Sequence, residues 1–228
     1  QELGYVFDVA REELGEDLFF LHTSDHGAQW PFGKWNLYDD GIRTPLIVSW
    51  PGRVAAGTRS DAMVSWIDVL PTLLEVAGAD PVDALDGRSF LPVLSGQRED
   101  HRDYIFTTHS GDGDFNVFPI RSVRSADGWK YVRNLHPEFL FGSHVTHAEP
   151  EKGYWQSWVD AAAVNAGAKR LVNRYRNRVA EELYHTPSDP YESQNRVGDA
   201  GQAERLEALR GKLDQWMDQT TDPEVVFG

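Results

Sequence analysis

The chain has 228 residues, 40% of them hydrophobic and 12% aromatic, which is enough apolar material to bury the core of one or two domains. Its formal net charge of -14 at pH 7 argues against nucleic acid as a partner, because a phosphate backbone requires a basic surface. The chain contains no cysteine and therefore forms no disulfide, and no apolar run approaches the roughly 18 residues that suggest a membrane span.

The first part of the sequence is predicted to be α/β. Glu2 to Leu14 indicates a helix, Leu18 to Thr23 a strand, and Pro45 to Trp50 a continuous apolar run typical of a buried strand. Ile67 to Ala77 predicts a second helix, which Gly78 stops. The order strand, loop, strand, helix is that of an α/β sheet.

A Gly-, Pro- and charge-rich stretch, Gly87 to Asp103, predicts a boundary, so we expect one domain over residues 1–98 and another over 99–228. Short aromatic and β-branched segments beyond it predict antiparallel strands at Tyr104 to Thr108, Pro119 to Arg124 and Trp129 to Asn134. Two helices are predicted, over 159–183 and 202–219. The second helix presents one apolar stripe, predicted to pack in the core: Leu206, Leu209, Leu213, Trp216 and Met217.

Chemistry is expected just after the first predicted strand, at a strand end of the kind where open α/β sheets bind ligands. There Asp25 offers a hard oxygen and His26 a nitrogen to a divalent cation, while Gly27 lets the backbone turn sharply. Lys34 follows a few residues later and supplies a mobile positive charge for an oxyanion. Taken alone, the Asp-His-Gly triplet is equally consistent with a helix cap or a hydrogen-bonded loop.

Several segments carry a further signal because they stand in a fixed order: Ser24 to Gly27, Gly33 to Lys34, Tyr38 to Gly52, Val64 to Leu74, Asp86 to Pro92 and Glu182 to Asn195. Together they resemble the sulfatase family of the alkaline-phosphatase-like superfamily, closest in character to glycan sulfatases and sulfamidase-like members. The resemblance covers nearly the whole chain. It implies the C-terminal part of an alkaline-phosphatase-like α/β sheet sandwich, followed by a smaller α+β subdomain with an antiparallel sheet. It also favours a periplasmic or secreted protein.

The resemblance implies hydrolysis of a sulfate ester, with a sulfated small molecule or glycan as substrate. Asp25 and His26 would hold Ca²⁺, or Mg²⁺ in some members, although His26 could instead donate a hydrogen bond to substrate because Ca²⁺ prefers oxygen. Lys34 would neutralise the sulfate and stabilise the leaving alkoxide. His109 and Asp112, in a polar Gly-rich loop, are predicted to bind sugar hydroxyls; a turn stabilised by Asp side chains is an equal alternative.

The nucleophile that the resemblance implies is not found in this chain. Family members carry a formylglycine made from Cys or Ser in a Cys/Ser-x-Pro/Ala-x-Arg motif, which lies upstream of the strand that precedes the Ser-Asp-His-Gly motif. This chain has no cysteine and no such Ser motif. We therefore predict the C-terminal portion of a sulfatase, inactive by itself, with an apolar sheet edge exposed. A phosphate or phosphonate monoester hydrolase of the same superfamily and a non-catalytic interaction remnant remain alternatives.

Overall fold

The computed structural model describes residues 2–111, 117–147 and 153–222. The helices are α1 (Glu2–Leu14), α2 (Asp39–Ile42), α3 (Val69–Val76), α4 (Leu91–Leu94), α5 (His144–His147), α6 (Trp155–Val164), α7 (Ala166–Arg176) and α8 (Ala203–Thr220). The strands are β1 (Phe20–Thr23), β2 (Leu46–Ser49), β3 (Tyr104–His109), β4 (Ile120–Ser125), β5 (Trp129–Asn134) and β6 (Glu181–His185). Among the described helices, none is both long and apolar enough to cross a membrane.

The chain forms two compact units that are interleaved in sequence. The first contains Gln1–Ser24 and Pro45–Ile105, and the second contains Asp25–Thr44 and Phe106–Gly228. The segment from Asp25 to Thr44, which carries the predicted site, therefore folds with the C-terminal half of the chain. The predicted domain boundary after residue 98 stays a prediction.

In the first unit, β1 and β2 form a two-stranded antiparallel sheet in which Phe20 lies opposite Ser49. The strand predicted over Pro45 to Trp50 is present as β2, but the prediction that it is buried is wrong for the described part of the chain. Leu46 and Ile47 on β2 are 39% and 48% exposed. The side chains of Leu46 and Ile47 point out of the two faces of this small sheet, and their exposure shows that no described element packs over them.

A buried carboxylate, that of Asp68, organises the rest of the first unit. It accepts hydrogen bonds from the backbone N–H groups of Ser65 and Arg88, both at 2.9 Å, and from Arg102 Nε at 2.8 Å. Burial by itself raises the pKa of Asp68, but the hydrogen bonds from Arg102 and the two backbone groups outweigh it and lower the pKa. Asp68 thus joins the start of α3 to the chain before α4 and to the linker at Arg102.

His101 is buried beside this carboxylate, and we expect it to make the stability of the first unit depend on pH. Its Nε2 lies 3.2 Å from Asp68 Oδ2, yet burial outweighs that attraction and lowers the pKa of His101 below its usual 6.5. Because the folded state then binds a proton less readily than the unfolded state, stability is full above about pH 6.5 and falls as the pH falls through the folded-state pKa.

We therefore expect His101→Gln to lose less stability than the wild type when the pH is lowered from about 7.5 to about 5. Urea denaturation followed by circular dichroism at the two pH values measures this difference. An identical pH dependence in the variant and the wild type would contradict the assignment.

The second unit is built on a four-stranded sheet in the order β3-β4-β5-β6. β4 pairs antiparallel with β5, Ile120 lying opposite Asn134, and β5 pairs antiparallel with β6. The predicted strands at β3, β4 and β5 are confirmed. The helix predicted over 159–183 is wrong at its end, because α7 stops at Arg176 and pairing with β5 draws Glu181–His185 into β6.

The core of the second unit contains residues from both of its chain segments. Its buried cluster comprises Trp35, Leu37, Phe118, Ile120, Val132, Phe141, Val145, Trp155 and Tyr175. The predicted stripe of α8 is confirmed, since Leu206, Leu209, Leu213 and Met217 are buried and Trp216 stacks on Phe106 with ring centroids 5.1 Å apart. Because Trp35 and Leu37 are core residues, the segment that carries the predicted site is held by hydrophobic burial.

Candidate functional site

Asp25 and His26 form a compact pair immediately after β1 in the chain. Asp25 Oδ1 accepts the backbone N–H of His26 at 3.0 Å, and Asp25 Oδ2 lies 3.1 Å from His26 Nε2. The carboxylate is 80% exposed and the imidazole 35% exposed, so solvent reaches both groups. The pair therefore presents one oxygen and one nitrogen side by side at the surface.

The hydrogen bond of His26 Nδ1 determines which ring nitrogen can bind a cation. His26 Nδ1 lies 2.7 Å from the carbonyl oxygen of Gly27, and because a carbonyl only accepts, Nδ1 carries the hydrogen. In the neutral ring the lone pair is then on Nε2, next to Asp25 Oδ2. A histidine that donates from one ring nitrogen to a carbonyl can bind a metal through the other, whereas a protonated His26 would donate from Nε2 to Asp25. In the described ranges, no cluster of three or more His, Asp or Glu side chains is arranged to hold a metal, so the pair would supply only part of a coordination shell.

Glycines pin the segment that carries the pair. The sequence predicts a sharp turn at Gly27, but the structure gives a steric reason for glycine there. Gly27 N donates to the Gly41 carbonyl at 2.9 Å, and a Cβ on Gly27 would lie 1.8 Å from the Asp40 carbonyl oxygen. A Cβ on Gly33 would likewise lie 2.2 Å from the carbonyl oxygen of Ala28. Any side chain at either glycine would force the backbone apart.

Lys34 lies in a strained part of the same segment. Phe32 and Trp35 on either side of it have φ values of +66° and +67°, which non-glycine residues adopt only when their surroundings hold them there. The Lys34 N–H donates to the Ala28 carbonyl at 2.9 Å, and its Nζ lies 4.8 Å from the centroid of the Trp35 ring. Over the ranges that the structure describes, no carboxylate forms an ion pair with the Lys34 ammonium.

The other predicted binding residues differ in what the structure says of them. His109 ends β3, is half-buried, and its carbonyl accepts a hydrogen bond from Arg121 Nη1 at 3.1 Å. Asp112 lies outside the described residues. Trp30, close to Lys34 in the chain, is 58% exposed and tilts against Tyr154 with ring centroids 4.8 Å apart. The contacts described thus join Asp25 directly to His26, and link the segment to Lys34 through backbone hydrogen bonds.

The sequence did not predict the long-range contacts that hold this segment in place. Asn36, Tyr38 and Asp39 are all buried, and each contacts side chains from the distant C-terminal part of the second unit. The signal available in the sequence was the late Glu-Leu-Tyr and Asp-Pro-Tyr-Glu pattern, but nothing in its spacing says that it meets residues 36–39.

Comparison with known families adds the observation that decides the family. The model described as N-sulphoglucosamine sulphohydrolase, C-terminal, matches residues 25–138, which is 114 of the 228 residues. The match begins at the Asp25–His26 pair and includes Lys34 and His109. The chain belongs to the sulfatase family.

Individual relatives agree with this membership. The sulfatase chain is 31% identical to human N-sulphoglucosamine sulphohydrolase over 99% of its own length and 46% of the relative's. It is 28% identical to an ulvan-active sulfatase of Formosa agariphila, over 95% of the chain and 40% of that protein. The chain thus spans less than half of the length of these curated relatives.

Solved structures share the fold of the sulfatase chain. A protein solved in complex with its substrate D-glucosamine-2-N, 6-O-disulfate superposes with a TM-score of 0.69 at 21% identity, over 97% of this chain and 39% of that one. A 2-O GAG sulfatase superposes with a TM-score of 0.66 over 91% of this chain and 38% of its own. The predicted mixed α/β architecture with an antiparallel sheet is therefore confirmed.

Proposed function

We propose that the protein hydrolyses sulfate esters carried by a carbohydrate, with Asp25 and His26 contributing to a Ca²⁺ site and Lys34 binding the sulfate. The observation that supports this most directly is the pairing of Asp25 Oδ2 with His26 Nε2 on the same glycine-pinned segment as the Lys34 ammonium. A divalent cation and an ammonium on one segment suit the tetrahedral, singly charged sulfate group of an ester and the negative charge that develops on the leaving oxygen.

The donor set fits Ca²⁺ as a partial site. Asp25 supplies the hard oxygen that Ca²⁺ prefers, and His26 supplies the neighbouring nitrogen or a hydrogen bond to substrate. Ca²⁺ takes about six to eight ligands, so the remaining ligands would come from elsewhere in the full-length protein. Bound there, the cation would attract the sulfate oxygens and draw electron density from sulfur. Mg²⁺ is the second candidate and would need a more regular octahedral shell.

Lys34 supplies the positive charge that this chain itself brings to the reaction. Hydrolysis breaks the bond between sulfur and the ester oxygen, and negative charge develops on that oxygen as the alcohol leaves. An ammonium held beside it stabilises the charge and can give up a proton to it. The nucleophile would be a hydrated formylglycine supplied by a part of the protein outside this chain.

Two observations favour a carbohydrate as the molecule to which the sulfate is attached. One is the exposed aromatic side chain close to Lys34 in the chain, and the other is the substrates named for related proteins. Trp30 is largely exposed, and its indole presents an apolar face of the kind that packs on a sugar ring. His109, and Asp112 three positions later in the sequence, would bind hydroxyl groups. Relatives at about 30% identity include enzymes described as acting on ulvan and on N-sulphoglucosamine.

The proposal is tested by assaying the full-length protein and the 228-residue chain on matched substrates. We expect the full-length protein to release sulfate from an O-sulfated sugar, to lose that activity when a chelator removes Ca²⁺, and to retain little of it in Asp25→Ala. The chain alone should give no turnover, because it lacks the nucleophile. An N-sulfated glucosamine, an aryl sulfate and a phosphonate monoester serve as comparison substrates.

Each comparison excludes a different alternative. A higher kcat/KM for the phosphonate ester than for any sulfate would make the protein a phosphonate hydrolase. A higher kcat/KM for the N-sulfated sugar than for the O-sulfated sugar would mean that the protein hydrolyses sulfamates rather than sulfate esters. Robust turnover by the 228-residue chain would refute the need for an upstream nucleophile. If calorimetry on the full-length protein detects no Ca²⁺ binding and Asp25→Ala does not change sulfate release, the protein would be a non-catalytic interaction remnant.

A further inference from the structure

Two buried carboxylates near the end of the chain, those of Glu182 and Glu192, contact the segment that carries the candidate site. Glu182 lies on β6, and Glu192 lies beyond it on a turn with φ of +48°. Both side chains are almost fully buried, at 3% and 1% exposure. Burying a charge is costly unless it is paired and hydrogen-bonded. The hydrogen-bond partners of these two carboxylates therefore show which part of the chain they hold in place.

Glu192 is bonded to the start of α2. Its Oε2 accepts the backbone N–H of Asp39 at 2.5 Å, and its Oε1 lies 2.7 Å from Lys130 Nζ. Lys130 Nζ is also 3.0 Å from Asp39 Oδ1, and Arg124 Nη1 is 2.5 Å from Asp39 Oδ2. Two carboxylates and two cations thus form a closed, charge-balanced cluster around the first residue of α2.

Short backbone contacts connect this cluster to the Asp25–His26 pair. The single turn of α2 brings the carbonyls of Asp40 and Gly41 against Gly27. Gly41 accepts the Gly27 N–H at 2.9 Å, and the Asp40 carbonyl leaves no room for a Cβ at Gly27. A shift of Asp39 would therefore be passed to Gly27 and to the residues just before it.

Glu182 is bonded to the same segment on the side of Lys34. Its Oε2 accepts the hydroxyls of Tyr38 at 2.6 Å and Tyr184 at 2.5 Å. The Tyr38 hydroxyl also accepts a hydrogen bond from Arg178, which donates in addition to Asn36 Oδ1. Burial is the largest cause that raises the pKa of Tyr38, so its hydroxyl keeps its proton and donates to Glu182.

From Asn36 the contacts continue to Lys34. Asn36 N donates to the Gly33 carbonyl at 3.2 Å, and Asn36 Nδ2 donates to the Lys34 carbonyl at 3.4 Å. The backbone of Lys34 is therefore bracketed by Asn36 on one side and by the Ala28 carbonyl on the other. Its neighbours Phe32 and Trp35 hold their positive φ values within this bracket.

We infer that Glu182 and Glu192 are positioning residues, which fix the distance and orientation between the Asp25–His26 pair and Lys34 without touching the substrate. The reaction they serve rests on the proposed function, whereas the holding of residues 25–44 does not. Misplacing reacting groups by about 1 Å costs on the order of 100-fold in rate, so two rigid anchors matter to the chemistry.

Glutamine at position 192 breaks one of the contacts whichever way its amide turns, and glutamine at position 182 breaks one contact or reverses the direction of two. At 192 the amide nitrogen must face either the Lys130 ammonium or the Asp39 N–H, and both are donors. At 182 it must face either Asn134 Nδ2, which donates at 2.8 Å, or the two tyrosine hydroxyls, which would have to turn from donors into acceptors and would lose their charged acceptor. The change keeps the size of the side chain, so it tests the hydrogen bonds and the charge rather than packing.

The neighbouring Glu181 is a matched control on the same strand. Its carboxylate accepts hydrogen bonds from Tyr131 at 2.5 Å and from Arg210 at 2.7 Å and 2.5 Å, so it is as strongly bonded as Glu182. These contacts lead to β5 and α8, not to residues 25–44. Glu181→Gln therefore removes a similar number of hydrogen bonds elsewhere in the second unit, at a side chain that is 27% exposed.

Hydrogen–deuterium exchange on the 228-residue chain gives a readout that general destabilisation would not reproduce. We expect Glu182→Gln and Glu192→Gln to speed exchange in peptides covering residues 27–41 at least about tenfold, with protection of β4, β5 and α8 unchanged. Glu181→Gln should leave residues 27–41 at the wild-type rate. Tyr38→Phe, which removes one hydroxyl, provides the same test if a glutamine variant does not fold. Uniformly faster exchange over the whole second unit, or unchanged exchange at 27–41, would overturn the inference.

A second measurement on the full-length enzyme separates this inference from the proposed function. We expect Glu192→Gln to lower kcat for a sulfated sugar about 100-fold with little change in KM, and Glu181→Gln to stay within about twofold. If the full-length protein proves to have no sulfatase activity, the proposed function fails while the exchange result stands. Equal kcat losses in the Glu192 and Glu181 variants would contradict a positioning role.

Discussion

Replacing Lys34 with alanine is expected to lower kcat of the full-length enzyme for a sulfated sugar about 100- to 1,000-fold. The reason is that the Lys34 ammonium has no ion-pair partner among the described carboxylates and lies on the segment that carries Asp25 and His26. Under the proposed function, removing it would leave the charge that develops on the departing alkoxide without the ammonium proposed to stabilise it. Steady-state release of sulfate measures the loss.

The dependence on the leaving group distinguishes this role from simple attraction of the substrate. An aryl alcohol leaves readily without help, so Lys34→Ala should lose less on an aryl sulfate than on a sugar sulfate. Lys169→Ala, an exposed lysine on α7, serves as the control and should stay within about twofold of the wild type. A loss confined to KM, equal on both substrates, would mean that Lys34 only binds the sulfate.

Replacing Lys130 with alanine is expected to lower the free energy of unfolding by about 3 to 5 kcal/mol. Lys130 is fully buried between Asp39 and Glu192, and its removal leaves Glu192 as a buried charge without a cationic partner. Urea denaturation at neutral pH measures the change. The double variant Lys130→Met with Glu192→Gln removes both charges and should lose less than Lys130→Ala, because no unpaired charge remains.

The pH dependence of the Lys130 variant follows from the carboxylate it leaves behind. Burial already raises the pKa of Glu192 in the wild type, against the opposing attraction of Lys130. A raised pKa means that the folded state gains stability as this group is protonated and loses it as the pH rises through the folded-state pKa. The deficit of Lys130→Ala should therefore shrink between about pH 7 and about pH 5. A deficit that is constant over this range would show that lost packing, not unpaired charge, is the cause.

Local pattern was sufficient for most of the elements. The 3.6-residue repeat of α8 predicts its buried face because a solvent-exposed helix must place its apolar residues on one side. Short aromatic and β-branched runs predict β3, β4 and β5 for a similar reason. The helix predicted from periodicity over 159–183 includes Glu181 to Leu183, the first three residues of β6, and there pairing with β5 overrides the local pattern.

The candidate site could be predicted only in part. Asp25 and His26 are adjacent in sequence, so their proximity was certain, and the spacing to Lys34 is short. The contacts that hold them are long-range: Tyr38 and Glu182 are 144 positions apart, and Asp39 and Glu192 are 153 apart. Such pairings depend on how β6 and the following turn pack against residues 36–39. Periodicity in the local sequence does not predict that packing. The metal, the formylglycine and the roles of His109 and Asp112 stay predictions.

The interleaving of the two units restricts how this protein can be divided. The chain passes from one unit to the other at residues 24–25, 44–45 and 105–106, so no single cut separates them. A piece beginning near residue 99 would lack Trp35 and Leu37, and a piece ending there would carry Tyr38 and Asp39 without the strands that bury them. Split-protein reporters and domain grafts based on this sulfatase therefore have to carry residues 25–44 together with the C-terminal sheet, by circular permutation or by a covalent linker.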